Sequence, residues 1–237
     1  MYGTERHERR TRGARVTDEH RSPHQPAQAV FDVLGLAYEE AFAASEAHHA
    51  SLRRLLDELA PGSRVLDVGS GTGRPTAKTL SAAGHDVLGI DVSPVMVDIA
   101  SRQVPEAEFR CADIRAVAFE DGAFDAVCVY FSLLQMSRAE QTQLVTRLVR
   151  ALKPGGHMAL ATVPVDVEGV EVLFMEQPVR ATSFDRDAFV AMVTEAGLTV
   201  RAEQSLMFTP AHPGAAPEPH LFLHCRRDRV PDATADR

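Results

Sequence analysis

The chain has 237 residues, of which 45% are hydrophobic and 24% charged, and its formal net charge at pH 7 is −8. This is the composition of a globular protein with one sizeable core, and the negative charge argues against nucleic acid as a partner, since that affinity depends on neutralising phosphates. Three cysteines without a CxxC pair fit a reducing compartment and indicate no zinc site. Because no apolar run approaches the roughly 20 residues of a membrane helix, we expect a cytoplasmic protein with no membrane contact and no metal.

Both ends of the chain are predicted to be tails. Residues 1–28 are rich in Arg, Glu, His and Pro, so they cannot bury enough apolar surface to offset the entropy of ordering. A basic arm that touches nucleic acid is the alternative for this segment, although acidic residues dilute its charge. Residues 227–237 have a similar composition. Residues 29–226 are therefore predicted to form a single domain.

Helix and strand patterns alternate through this domain. A helix over 45–59 precedes the first strand at 64–69, and Ser137 with Glu140 forms a capping box before a helix that a Lys-Pro-Gly-Gly segment closes. The seven predicted strands are at 64–69, 86–91, 108–113, 124–131, 157–163, 198–208 and 220–226. Apolar strands that alternate with helices indicate a parallel sheet covered on both faces. Ligands of such sheets bind beyond the carboxyl ends of the strands, where the strand order reverses.

A glycine-rich turn follows the first strand, with Gly69, Gly71 and Gly73 at alternate positions. A dinucleotide site would have its third glycine at position 74, where this chain has Arg74. Asp67, at the end of the same strand, suits a cationic ligand better than a pyrophosphate. Asp91, at the end of the second strand, suits ribose hydroxyls, a role that dinucleotide and nucleoside sites share. A sulfonium nucleoside fits this pair, and solvated loop acids are the alternative.

Five ordered motifs extend this pattern: VLDVGSGTG, GIDVSPVMVDIA, CADIRAVAF, FDAVCVYFSLLQM and LKPGGHMALATV. With them, residues 31–226 resemble the class I S-adenosylmethionine-dependent methyltransferases of the seven-stranded, small-molecule type. The resemblance implies an α/β, Rossmann-like doubly wound sheet with strand order 3-2-1-4-5-7-6 and an antiparallel last strand.

The function that the resemblance implies is methyl transfer from S-adenosylmethionine to an O, N or C nucleophile of a small-molecule acceptor, with S-adenosylhomocysteine as product. A role in secondary metabolism is a further expectation. The alternative is a protein of this fold that binds the cofactor without methyl transfer, as a cyclase or binding protein. A NAD-dependent oxidoreductase ranks third, because Arg74 and Asp67 disfavour it. The chain is expected to be a monomer or a homodimer.

The resemblance also implies a set of cofactor-binding residues. These are Tyr38, Asp67, Gly69, Ser70, Gly71, Gly73, Asp91, Val92, Met96, Asp113, Ile114 and Tyr130. In this set the glycine turn and Asp67 hold the methionine part, Asp91 holds the ribose, and Asp113 accepts from the adenine amine. Simple packing remains the alternative for Met96 and for Tyr38.

Acceptor contacts are expected at the carboxyl ends of the fourth and fifth strands. The candidates are Phe131, Ser132, Gln135, Met136 and Arg180. Arg180 belongs to a long connection at 164–183 that we interpret as a substrate-side insertion, either a lid or a dimer surface. For Arg180, an ion pair with Glu171 or Glu176 is the interpretation we favour over an acceptor contact.

Two histidines are candidates for a general base. His212 and His220 lie in or at the end of the connection to the last strand, which returns over the ligand side of the sheet. His85 and His157 lie at the amino ends of strands and are predicted to be structural. His48 and the neighbouring His49 are too far apart around a helix to share a metal ion, so we assign them to surface or packing.

Overall fold

The computed structural model describes residues 27–228. The predicted tails lie almost wholly outside this range, and the first helix begins two residues before the predicted start of the domain. Across the described residues, each helix is too short or too polar to cross a bilayer.

Between residues 27 and 228 the chain forms seven α-helices and nine strands. The helices are α1 (Ala27–Leu34), α2 (Leu36–Phe42), α3 (Glu46–Glu58), α4 (Thr76–Ala82), α5 (Pro94–Gln103), α6 (Arg138–Ala151) and α7 (Arg186–Glu195). The strands are β1 (Arg64–Val68), β2 (Asp86–Asp91), β3 (Glu108–Cys111), β4 (Phe124–Tyr130), β5 (Leu152–Thr162), β6 (Val167–Phe174), β7 (Gln177–Ser183), β8 (Leu198–Phe208) and β9 (Glu218–Arg227).

Seven of these strands form one sheet in the order β3-β2-β1-β4-β5-β9-β8. Strands β1 to β5 pair in parallel, and β9 is antiparallel to both of its neighbours. The other two strands form a separate hairpin, so β8 and β9 are the sixth and seventh strands of the sheet in chain order. The predicted order 3-2-1-4-5-7-6 and the antiparallel last strand are therefore confirmed. The strand order reverses between β1 and β4, which places a crevice at their carboxyl ends.

Each face of the sheet buries its own core, because successive strand residues point to opposite sides. On one face, strand residues such as Leu66 pack against α6 and α7. On the other face, strand residues such as Val65 pack against α3 and α4. The predicted capping box is present at the start of α6, where Ser137 and Glu140 bond to each other's backbone N–H. Helices are thereby fixed on both sides of the crevice.

The structure corrects the predicted start of the fifth strand. Strand β5 begins at Leu152, which pairs with Phe124, whereas the next pairing joins His157 to Ala126. The Lys-Pro-Gly-Gly segment therefore lies within the strand as an irregularity and does not form a connection before it.

The insertion at 164–183 contains the β6–β7 hairpin, which the sequence did not predict as strands. Thr182 donates its backbone N–H to the carbonyl of Leu134 at 2.7 Å, so the hairpin is attached to the segment that follows β4. Val179 packs against Val30 and Leu34 of α1. The hairpin thus stands at the carboxyl end of the sheet, beside the crevice.

Candidate active site

The glycine turn is held against the end of β2. The backbone N–H groups of Gly69 and Ser70 both donate to the carbonyl of Ile90, at 2.8 and 3.1 Å. Gly69 has φ of +67°, and a Cβ at this position would lie 2.4 Å from the Cβ of Ser132. Glycine is therefore required here both by backbone conformation and by the close approach of the β4 end.

Asp91 holds the other side of the turn. Its Oδ2 accepts from the backbone N–H of Gly71 at 2.8 Å, and its Oδ1 accepts from that of Ser93 at 2.9 Å. Burial raises the pKa of Asp91, and these backbone hydrogen bonds oppose the rise. Each carboxylate oxygen keeps a free lone pair, so Asp91 retains the capacity to accept from two hydroxyl groups.

Asp67 is buried with an incomplete set of hydrogen bonds. The residue is 2% exposed, and its Oδ2 has no hydrogen-bond partner among residues 27–228. Burial, and then the charge of Asp91, raise the pKa of Asp67 to about 8. A buried carboxyl group without a partner is costly to ionise. A cationic group placed beside it would supply the missing partner.

Asp91 lines a cavity of about 440 Å³, which we call the first cavity. Its lining includes Asp91, Val92, Met96, Asp113 and Ile114, all predicted cofactor contacts. This volume lies in the range of small-molecule sites. The structure thus brings the predicted ribose and adenine contacts together.

The carboxylate of Asp113, which was predicted to bind the adenine amine, already accepts several hydrogen bonds within the protein. Its carboxylate accepts from the Nε and Nη2 of Arg115, at 3.0 and 2.8 Å, and from the Arg115 backbone N–H at 2.9 Å. The Arg115 side chain is also the principal cause that lowers the pKa of Asp113. Asp113 therefore remains ionised, and a purine amine would share its carboxylate with Arg115.

A second cavity, of about 380 Å³, lies on the other side of the glycine turn. Asp67 lines it together with Ser70, and α4 contributes Thr76. His48 of α3 also lines it, with its Nε2 3.1 Å from the Thr76 hydroxyl and its ring 4.1 Å from that of Tyr130. Burial, and then the nearby His49 and His220, lower the pKa of His48 to about 3, so its imidazole is neutral.

A third cavity, of about 300 Å³, lies between α1, α2 and the β6–β7 hairpin. Valine and phenylalanine side chains form most of its wall, and they include Phe31, Phe42, Val172, Phe174 and Val179. Among the described residues that line it, only Glu218 carries a charge. This cavity suits an apolar molecule with one polar group.

The three cavities meet at Tyr38 and Phe131, which line all of them. The ring of Tyr38 packs 4.9 Å from that of Phe42 and 5.5 Å from that of Phe31. Burial, and then the charges of Glu218 and Asp91, raise the pKa of Tyr38, so its hydroxyl stays protonated. Phe131 has φ of +56°, a conformation that is strained for a bulky residue. That conformation holds an aromatic ring at the junction.

Most of the other predicted residues line these cavities, with two exceptions. Tyr130 lines the first and second cavities, and Ser132, Gln135, Met136 and Arg180 line the first. Gly73 lies behind the turn, against Phe109 and Val104, and lines none of the three. His212 also lines none of them.

The expected ion pair of Arg180 with Glu171 or Glu176 was wrong. The Arg180 Nε donates to the carbonyl of Gly169 at 3.0 Å, and within the described range no acidic group lies in ion-pair distance of its guanidinium. Glu171 is its partner in the hairpin register. The bend at Gly169, with φ of +65°, places a carbonyl closer to the guanidinium.

Three residues of the site were missed by sequence reasoning. His48 lies four residues before the buried Leu52, on the same face of α3, and this spacing was a usable signal. Thr76 had no signal beyond its place at the start of α4. Glu218 lies two residues before His220 and therefore on the same side of β9.

The known proteins to which this chain is similar include named methyltransferases. A family model described as "Methyltransferase domain" matches residues 65–156. Demethylmenaquinone methyltransferase from Renibacterium salmoninarum is 37% identical over 101 residues, which cover 43% of this chain and 41% of that protein. Over these residues the chain resembles the class I S-adenosylmethionine-dependent methyltransferases. It spans about half the length of the curated methyltransferases it matches.

Two solved structures show the methyltransferase fold over most of the chain. The 1,6-didemethyltoxoflavin-N1-methyltransferase of Burkholderia thailandensis, with bound 1,6-didemethyltoxoflavin and S-adenosylhomocysteine, has a TM-score of 0.64 at 20% identity. That match covers 85% of this chain and 87% of the other. The 4+2 cyclase SpnF has a TM-score of 0.65 at 20% identity, with 86% of this chain and 95% of the other covered.

Proposed function

We propose that this methyltransferase domain transfers the methyl group of S-adenosylmethionine to an O, N or C nucleophile of a small-molecule acceptor. One observation carries the proposal. The buried, unpartnered carboxylate oxygen of Asp67 lies in a cavity that adjoins the nucleoside-sized cavity at Asp91. A molecule with a positive charge next to a nucleoside would satisfy both groups.

The residues present fit this cofactor. When bound, it supplies an electrophilic methyl group on a positively charged sulfur. Asp67 would neutralise positive charge on the methionine side, and Asp91 would accept from the ribose hydroxyls. Met96, which is buried and lines the first cavity, would pack on the adenine. Gly71 has no atom within 4 Å of the place of a Cβ, so its backbone leaves open space toward the ligand.

The third cavity supports the acceptor half of the proposal. Methyl transfer needs the nucleophile held close to the methyl group with water excluded, so positioning does most of the work. The junction at Tyr38 and Phe131 is where an acceptor in the apolar cavity would reach the cofactor. The apolar wall would keep water away from the reacting groups.

The size and polarity of the third cavity favour an aromatic acceptor. The rings of Phe31, Phe42 and Phe174 line it, with that of Phe174 6.1–6.5 Å from the other two, and aromatic side chains of this kind pack favourably with an aromatic ring. A matched relative is named for methylation of demethylmenaquinone, and a quinol-like ring suits these side chains. A role in secondary metabolism stays a prediction.

A second candidate is cofactor binding without methyl transfer. The observation that favours it is the similarity of the fold to that of a cyclase. In that case the third cavity would hold a molecule that rearranges beside the cofactor, and no S-adenosylhomocysteine would be released.

Methyl transfer is tested with the full chain, S-adenosylmethionine and a panel of reduced naphthoquinones and phenols. The proposal predicts that S-adenosylhomocysteine and a methylated product appear together in mass spectrometry. Asp91→Asn is expected to abolish both, whereas Asp86→Asn, at the exposed amino end of the same strand, leaves them unchanged. Binding of the cofactor without any release across the panel would favour the second candidate, and a failure to bind would overturn both.

A further inference from the structure

Glu218 is unusual because it places a carboxylate on the wall of an otherwise uncharged cavity. Its Oε1 accepts a hydrogen bond from the Nε2 of His220 at 2.8 Å. Because a carboxylate only accepts hydrogen bonds, the hydrogen of a neutral His220 resides on Nε2. Its other ring nitrogen, Nδ1, then carries a free lone pair.

His220 is held rigidly at the junction of the cavities. It is 1% exposed, with its ring between Phe131 at 4.5 Å and Phe208 at 5.0 Å. Its Nδ1 has no hydrogen-bond partner among residues 27–228. A buried acceptor without a donor is costly to stability. A ligand that donates a hydrogen bond to Nδ1 would remove this cost.

The pair connects the two cavities that the reaction would use. Glu218 lines the third cavity, and His220 lines the second, which Asp67 also lines. Phe131 lines both cavities and lies beside the imidazole. A polar group carried by an apolar acceptor would therefore meet His220 on the side of the cofactor.

We propose that Glu218 and His220 form the proton-accepting pair for an acceptor whose nucleophile is the hydroxyl of a phenol or enol. The inference rests on the proposed methyl transfer and narrows its substrate class. In the step, the acceptor O–H bond breaks and its proton moves to His220 Nδ1. An oxygen electron pair forms the bond to the methyl carbon as the carbon–sulfur bond breaks. The electron pair of that bond remains on the sulfur, which becomes neutral.

Glu218 acts as a positioning residue in this step. Its carboxylate fixes the tautomer that leaves Nδ1 free, and it stabilises the imidazolium that forms. A neutral hydroxyl is favoured over an amine that enters as its ammonium form, because an ammonium must lose a proton before its nitrogen can attack, its burial in an apolar cavity is costly, and the sulfonium would repel it. The other titratable groups that line the cavity of His220 are Tyr38, Glu39, His48, His49, Asp67, Arg74, Lys78 and Tyr130. Burial keeps Tyr38, Tyr130 and His48 neutral near pH 7 and raises the pKa of Asp67 to about 8.

The test uses 4-nitrophenol, whose absorbance distinguishes phenol from phenolate. It is added to the full chain saturated with S-adenosylhomocysteine, so the readout does not depend on turnover. We expect the ionisation constant of bound 4-nitrophenol to be at least about tenfold larger in the wild type than in Glu218→Gln or His220→Gln. Glu203→Gln is the control, because Glu203 lies on the neighbouring strand, paired with Arg186 and away from the cavities.

Two further measurements complete the test. S-adenosylhomocysteine affinity is expected to be unchanged in Glu218→Gln, which shows that the cofactor site is intact. In turnover with a phenolic acceptor, kcat should fall by about 10²–10⁴ in His220→Gln with little change in KM. The loss should be smaller for acceptors that are already ionised.

Three outcomes would overturn the proposal. They are identical 4-nitrophenol spectra in the wild type and both variants, binding of 4-nitrophenol no tighter than that of 4-nitroanisole, and tighter binding of 4-nitrobenzylamine at pH 7. The last result would make Glu218 a site for a cation. The proposed methyl transfer is tested separately, since it fails only if the wild type releases no methylated product.

Discussion

Replacing Asp67 with asparagine removes the group whose ionisation should be linked to cofactor binding. Burial raises the pKa of Asp67 to about 8, so the free protein holds a proton on this carboxyl group at neutral pH. A cationic ligand binds the ionised form. Ionising Asp67 at pH 6 therefore opposes binding by about 2.7 kcal/mol, a cost that vanishes above pH 8.

The affinity for S-adenosylmethionine should consequently rise by up to about tenfold for each pH unit between 6 and 8 in the wild type. The same rise should be absent in Asp67→Asn. Isothermal titration calorimetry in buffers of different ionisation enthalpy should show about one more proton released by the wild type near pH 6.5 than by the variant. The variant serves as the reference because it retains the titration of the ligand itself.

The stability of the free wild-type protein should fall as the pH rises, whereas its affinity for the cofactor should increase. The folded chain retains on Asp67 a proton that the unfolded chain loses above about pH 3.8. Stability of the free protein therefore falls as pH rises from 3.8 to 8, by up to roughly 1.4 kcal/mol per pH unit. Asp67→Asn should be more stable than the wild type at pH 7 in urea denaturation, although it binds the cofactor less tightly at pH 8. Parallel pH profiles for the two proteins, or equal proton release, would refute this reasoning.

Three further changes have defined expected outcomes. Gly69→Ala would place a Cβ 2.4 Å from that of Ser132, so calorimetry should show at least about tenfold weaker S-adenosylhomocysteine binding, with a loss of about 1–3 kcal/mol in urea denaturation. Burial, and then the nearby His157, lower the pKa of His224 to about 4. The stability of the folded protein should therefore fall as the pH drops from 6.5 towards 4. In thermal melts, the melting temperature of His224→Gln should fall less over this range than that of the wild type. Phe174→Ala should raise the acceptor KM by about tenfold while nucleoside affinity, measured by calorimetry, stays unchanged.

The fold could be predicted because the residues that start and stop helices agree with the alternation of helices and apolar strands along the chain. Gly84 and Gly197 both have positive φ just after helices α4 and α7, where glycine is a recognisable stop signal. Ser137 caps the helix that it was predicted to begin, and Ser93, before Pro94, caps α5 in the same way. With each helix placed between two apolar strands, right-handed crossovers leave few arrangements of the sheet.

The hairpin could not be predicted from the same signals. Its turn residues Met175 and Glu176 both have positive φ, at 47° and 64°. Turns of this kind usually contain asparagine and glycine, so Met175 and Glu176 carry no recognisable turn signal. Most of β6 is exposed on both faces, which removes the alternation that identifies a half-buried strand.

The site residues at the ends of the parallel strands were predictable from the sequence. The residues that a helix or the antiparallel strand β9 contributes were less predictable. Asp67 and Asp91 end adjacent parallel strands, and their meeting follows from the topology alone. His48 approaches from α3, and Glu218 approaches from the antiparallel last strand. Their positions depend on helix orientation and strand register, which single residues do not encode.

The central claim is that the crevice at the ends of β1 and β2 binds S-adenosylmethionine between Asp67 and Asp91. A crystal structure of the full chain with S-adenosylhomocysteine tests it most directly. We predict ribose hydroxyls within hydrogen-bond distance of Asp91, the adenine against Met96, and the amino acid part beside Asp67. Density for the nucleoside elsewhere, or side chains closing the crevice in crystals grown with saturating ligand, would contradict the claim.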